Sequence, residues 1–294
     1  MIINFQKTLL VEKNIMSPFD DVKKCRINGK EIAYHRSGSG EPVLLVHGIT
    51  THSFIWRSVA ELLLSEFDVI VPDLLGCGAS DKPLDIEYSL INHAEMLKRV
   101  LEKLEIRKIH FVGHDVGGGI GQIFAVRYLD SLYDLSLVNT VAYDFWPVQP
   151  IITMRTPFLR QLAMATLDFG SFKLILRRAF YHKEKLTPEL FAHFTQQLQS
   201  SEGRKAFLHF AKCLNNQHLL DIADELRRLS LPVLIVRGAA DVYLKEVIST
   251  KLHREIPDSN LRILETAGHF IQEDEPQQLS DILTKFFTAR SNLA

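Results

Sequence analysis

Short, mainly apolar runs recur along this chain at Pro42 to Val46, Phe67 to Val71, Lys108 to Val112, Leu135 to Val138, Pro232 to Val236 and Leu261 to Leu264. A run with little polar alternation is what a strand buried on both faces requires. Between the runs the period lengthens. Ile55, Val59, Leu62 and Leu63 mark a helix over Phe54 to Phe67, and Leu90, Ala94, Leu97, Val100, Leu101 and Leu104 mark one over Tyr88 to Leu104. Further helices are expected over 116–129, 242–256 and 276–287. Upstream, Cys25 to Ile27 and Glu31 to Tyr34 flank Asn28-Gly29, a dipeptide suited to the left-handed positions of a tight hairpin.

Strands alternating with helices predict an α/β fold: a mostly parallel sheet of about eight strands with helices on both faces. The alternation breaks after Asn139, and from about Asp144 to Asp224 the pattern turns helical without a convincing strand. The expected organisation is an arm over 1–20, a core built from 21–143 and 227–294, and an inserted helical cap over 144–226. Such a cap belongs above the carboxyl ends of the strands, where open α/β sheets bind ligands.

Composition narrows the partners. A net charge of −1 gives no general electrostatic reason to bind nucleic acid. Three cysteines, Cys25, Cys77 and Cys213, lack metal-ligand spacing, and no His/Cys/Glu cluster implies a metal or cofactor. No run is long and apolar enough for a membrane span and no signal peptide is evident, so a cytoplasmic enzyme of small molecules is expected. Oligomeric state is not legible.

The chemistry concentrates at Gly113-His114-Asp115-Val116-Gly117, where a strand runs into a helix through a glycine-flanked turn. This is the spacing of a nucleophile elbow, with aspartate where serine usually stands. A carboxylate needs no base to become nucleophilic, which suits displacement at a saturated carbon. The alternative is that Asp115 only caps the helix. His269, on the loop after the last strand, and Asp241, just beyond Val236, complete a candidate set of base and orienting acid. Asp144 is the fallback acid. The backbone N–H groups of Ile49 and Val116 are candidate oxyanion-hole donors. His47, Tyr143, Trp146 and Tyr181 are candidate pocket residues, His47 more as a hydrogen-bonding prop for its loop, and His114 is expected to be structural.

Taken in order, His47-Gly48, Asp73-Leu74-Leu75-Gly76-Cys77-Gly78-Ala79-Ser80-Asp81-Lys82-Pro83, the Asp115 elbow and His269-Phe270-Ile271-Gln272-Glu273-Asp274-Glu275-Pro276 resemble the haloalkane dehalogenase and epoxide hydrolase branch of the α/β-hydrolases. The resemblance covers about 25–145 and 230–288. It implies a covalent aspartyl ester on Asp115, hydrolysed by water that His269 activates with Asp241 behind it. Two departures stand out: Val116 replaces the tryptophan that similar dehalogenases carry after the nucleophile, and Ile49-Thr50 replaces the residues usual after the His-Gly pair. An epoxide and an alkyl halide therefore stand nearly equal as substrates. The alternatives are cleavage of an ester or lactone, or a non-catalytic ligand-binding member of the fold.

Overall fold

The computed structural model describes residues 21–146, 151–152 and 170–291. The expected arm over 1–20, and 147–150 and 153–169 of the expected cap, lie outside the described residues. One sheet holds eight strands: β1 Lys23–Ile27, β2 Lys30–Gly38, β3 Glu41–Val46, β4 Phe67–Pro72, β5 Ile109–Asp115, β6 Leu132–Thr140, β7 Val233–Gly238 and β8 Ser259–Leu264. Their order across the sheet is β1-β2-β4-β3-β5-β6-β7-β8. Only β2 runs against the others. The β1–β2 turn uses Asn28 and Gly29 at φ 50 and 78, as the Asn-Gly pair requires.

The buried strands explain their own composition. Val43 and Leu45 point into one hydrophobic cluster and Leu44 and Val46 into the other; Val112 and Phe111, and Val138 and Leu137, divide the same way. Both faces are thus apolar because both are covered. On one side pack α2 (Leu90–Lys103) and α3 (Val116–Arg127); on the other pack α1 (Arg57–Leu63) and the C-terminal helix. The helix expected over 54–67 is shorter. It starts as a 3-10 turn at Ser53–Trp56 and ends at Leu63, because Phe67 is needed to begin β4.

The described residues between β6 and β7 are helical: α4 Gly170–Ala179, α5 Pro188–Thr195, α6 Ser201–Cys213, and the short α7 Gln217–Leu220 and α8 Ala223–Leu226. After β7 come α9 Glu246–Glu255, α10 Ile271–Asp274 and α11 Pro276–Ser291. Asp274 joins the segment after α4 to the loop after β8. Its carboxylate accepts the backbone N–H groups of Gly268 at 2.8 Å and of Tyr181 and His182 at 2.9 Å each. Gln197 makes a second tie, donating to Gly76 O at 2.9 Å and accepting from Gly78 N at 3.3 Å.

Candidate active site

Asp115 ends the central strand β5 at φ 54 and ψ −121, a conformation costly for a residue with a side chain. The glycines around it are forced. A Cβ on Gly113 would lie 2.3 Å from Gly117 O, and one on Gly117 would lie 2.5 Å from Val46 O. The turn therefore closes only with hydrogens at both places. The bend leaves the carboxylate without the usual capping bond, and of its own helix the first N–H, that of Val116, acts on it. Asp115 Oδ2 accepts the Ile49 N–H at 3.2 Å. Gly48 makes room for this contact, since a Cβ there would lie 2.6 Å from the same oxygen.

Asp241 and His269 arrive from two other strand ends. His269 Nδ1 donates to Asp241 Oδ2 at 2.9 Å, while Asp241 Oδ1 accepts the N–H groups of Tyr243 at 2.8 Å and Leu244 at 3.1 Å. The loop bearing His269 leaves the edge strand β8 and crosses back over β7, where a Cβ on Gly238 would touch Gly268 O at 2.2 Å. It reaches β5: His114 Nε2 donates to His269 O at 2.9 Å, and the two imidazole rings lie 4.8 Å apart. The His269 N–H donates to Ala179 O at the end of α4, 2.7 Å away. Asp144, the fallback acid, is exposed.

Burial and charge act together on these groups. Burial pushes the Asp115 carboxyl above its ordinary value, against the pull of His269 and of the Ile49 and Val116 N–H groups. Burial also disfavours charge on Asp241, but the His269 charge and three hydrogen bonds outweigh it and hold the carboxyl low. For His269, burial opposes protonation; the Asp241 charge and hydrogen bond, with the Asp115 charge, prevail and raise it. His114 has no such partner charge in contact, and burial drives it down to about 3.

The candidate pocket residues divide. His47 is wholly buried and occupied: its Nδ1 donates to Gly48 O at 2.7 Å and its Nε2 accepts the Leu74 N–H at 2.9 Å. With its pKa lowered by burial to about 4, it is a neutral prop for two loops and offers nothing to substrate. Tyr143 is engaged elsewhere. A φ of 53 turns the chain there, its hydroxyl donates to Glu255 at 3.0 Å, and Lys251 sits 4.0 Å over its ring. Tyr181 lies at the surface, 46% exposed. Trp146 is buried in the hydrophobic cluster that also holds α2 and α3, and among the described residues its indole N–H has no hydrogen-bond partner.

Sequence reasoning missed Asn139 and Tyr243. Asn139 Nδ2 donates to Gly268 O at 2.8 Å and His269 O at 2.9 Å, and its Oδ1 accepts the Gly238 N–H at 3.0 Å. Tyr243 packs edge-on to His269 with ring centroids 5.5 Å apart, and donates to Ile175 O of α4 at 2.7 Å. A lone asparagine ending an apolar strand was the available signal for the first. The second had none. Among the described residues no group of three or more His, Cys, Asp or Glu is arranged to hold a metal ion, and no helix is long and apolar enough to cross a membrane.

Residues 41–276 match the family model for the alpha/beta hydrolase fold, four-fifths of the chain. The chain is an α/β-hydrolase. This hydrolase is 28% identical over 281 residues to the cis-3-alkyl-4-alkyloxetan-2-one decarboxylase of Shewanella oneidensis, covering 91% of this chain and 88% of the relative. It is 29% identical over 275 residues to haloalkane dehalogenase 2 of Mycobacterium tuberculosis, covering 87% of this chain and 91% of that one. The solved epoxide hydrolase CorEH superposes with a TM-score of 0.80 at 22% identity, covering 92% of the hydrolase and 99% of the epoxide hydrolase.

Proposed function

We propose that this hydrolase displaces a leaving group from an electrophilic sp3 carbon of a small, largely apolar molecule through a covalent ester on Asp115. The observation that carries this reading is the Asp115 carboxylate itself, bent out of its helix onto the Ile49 N–H, with the His269–Asp241 pair set against it. Asp115 Oδ1 attacks carbon, and the carbon–leaving group bond breaks with its electron pair going to the leaving group. His269 then takes a proton from water as the water oxygen attacks Asp115 Cγ. The Ile49 and Val116 N–H groups hold the charge that develops on Oδ2. Collapse breaks the Cγ–Oδ1 bond, and the imidazolium returns its proton to the departing alcohol.

The two steps also switch the base. Alkylation erases the Asp115 charge, which is one of the influences that raise the His269 pKa. The imidazole therefore gives up its proton more readily once the ester has formed. Asp241 remains ionised and keeps the ring oriented.

The leaving group is one that departs without a proton. All seven tyrosines are described residues, and those beside the helical insertion are spent: Tyr88 on Pro83 O, Tyr143 on Glu255 and Tyr243 on Ile175 O, with Tyr181 at the surface. An alkoxide from an epoxide needs such a donor; halide does not, and neither does the carboxylate of a strained lactone. The buried Trp146 N–H, lacking an acceptor among the described residues, suits either anion. A lactone reading is favoured further by the Shewanella relative, whose named substrate is an oxetanone. The segment over 144–226, helical in its described residues, serves as the cap, tied to the core through Asp274, Gln197 and Ala179 O.

The test is intact-mass analysis of His269→Gln incubated with a primary alkyl bromide, an alkyl oxetanone or an alkyl epoxide. The reading expects a stable adduct that maps to Asp115 with the bromide or oxetanone. Absence of any adduct with all three probes, while wild type turns one over, overturns it.

A further inference from the structure

We infer that Asn139 is a positioning residue for the hydrolytic half-reaction: one carboxamide at the end of β6 that fixes the base loop against the acid loop. The inference rests on the reading above, because it assigns Asn139 to the second step alone. Three observations converge on it. The β5–β6 register passes from His114↔Val138 to Asp115↔Thr140, so Asn139 is the extra residue of a bulge. A bulge re-aims a side chain that regular pairing would send into the sheet face. Asn139 adopts φ 37, in the left-handed region that asparagine tolerates better than other residues with a side chain. Finally, the whole amide is used: its protons on the base loop and its oxygen on the acid loop. The oxygen holds Gly238 N at 3.0 Å, three residues before Asp241, and the nitrogen holds Gly268 O and His269 O at 2.8 and 2.9 Å.

The amide is buried, so its bonds face no competition from bulk water. It binds no substrate. Its effect is on the spacing of Asp241 and His269, whose 2.9 Å contact orients the imidazole. His114 makes the only other described side-chain bond to His269 O, and it comes from β5 without touching the Asp241 loop. Two backbone bonds, Ala239 N–H to Leu264 O at 2.9 Å and Ala240 N–H to Ala267 O at 3.0 Å, also join the loops, and Asn139 is the side chain that holds both of them to β6. Asp115, by contrast, is held by Ile49 and Val116 and needs neither loop to attack carbon. Loss of the carboxamide should therefore separate the steps.

Asn139→Gly is the informative variant, since glycine keeps the positive φ while removing the amide. Asn139→Asp keeps an acceptor for Gly238 N but cannot donate to either carbonyl. With a primary alkyl bromide or alkyl oxetanone, quenched-flow mass analysis should find Asp115 alkylation within about 3-fold of wild type. Ester hydrolysis should slow by about 100-fold, the scale of an ångström-sized misplacement. The Asp115 ester then accumulates at steady state in both variants. A second readout needs no substrate: NMR titration of the His269 imidazole. The groups acting on it are Asp241, Asp115 and His114. Loosening Asp241 lowers its pKa in Asn139→Gly relative to wild type, and this readout is taken on that variant because the new carboxylate of Asn139→Asp would itself raise it. Equal slowing of both steps, hydrolysis at the wild-type rate, or an unshifted His269 titration in Asn139→Gly overturns the assignment. If His269→Gln traps no ester but Asn139→Gly still shifts the titration, the failure belongs to the proposed reaction and not to the tie.

Discussion

Gly48→Ala puts a single methyl group against the candidate nucleophile. The added Cβ would lie 2.6 Å from Asp115 Oδ2, 2.7 Å from its Cβ and 3.1 Å from Cγ. Contacts that close cannot persist, and turning the carboxylate cannot relieve the one to Asp115 Cβ, so the loop after β3 that carries Gly48 and Ile49 must shift. Asp115 Oδ2 then loses the Ile49 N–H, now 3.2 Å away. Gly48 has no positive φ, so alanine brings no backbone strain of its own. Losing one oxyanion donor costs about 100- to 1,000-fold in rate, and a displacement near an ångström costs about 100-fold. The two share one cause and do not add, so turnover should fall by about 100- to 1,000-fold. Overpacking costs about 1–3 kcal/mol of stability, a melting shift of several degrees. The assay is steady-state turnover of a primary alkyl bromide or oxetanone at 25 °C beside a melting curve. Turnover within about 3-fold of wild type in a folded Gly48→Ala protein would refute the placement of the carboxylate.

Two further outcomes follow from the same geometry. Asp115→Asn should melt above wild type. The Asp115 pKa is raised in the folded protein, so its contribution to stability is present below the ordinary carboxyl value and lost as pH climbs through the folded value. The excess in melting temperature should thus be small near pH ~4 and largest around neutrality; an excess that shrinks with rising pH contradicts the sign. Trp146→Phe removes the unpartnered indole N–H while keeping a ring of similar bulk. Ester formation with a bromide should slow by about 10-fold, the worth of one hydrogen bond to a charged group, and His269→Gln/Trp146→Phe compared with His269→Gln measures it by adduct growth. An unchanged rate removes Trp146 from the leaving-group site.

The sheet was legible because its strands are buried on both faces, so every run from Pro42 to Val236 reads as apolar without tertiary knowledge. Where burial is one-sided the reading blurred. The strand at Leu261 to Leu264 is an edge strand, and its Ile263 is exposed. The elbow was legible from Gly113 and Gly117, since the steric demand that bends the chain is local. The directions of Tyr143 and Tyr181 were not. Tyr143 depends on a positive φ that turns its ring onto α9, and Tyr181 on the carboxylate of Asp274, 93 positions away, which fixes its backbone N–H. Asn139 was read as the place where the pattern stops. Its role is set by a bulge and by two loops that meet only in the folded chain, and neither leaves a periodic trace.

The most direct measurement is the fate of water oxygen during a single turnover in H2(18)O, with enzyme in excess over a bromide or oxetanone. The account predicts that the first alcohol formed carries unlabelled oxygen from Asp115, and that one labelled oxygen appears in the peptide containing that residue. Labelled alcohol with an unlabelled Asp115 peptide would mean that water attacks the substrate itself, and the covalent account would be wrong.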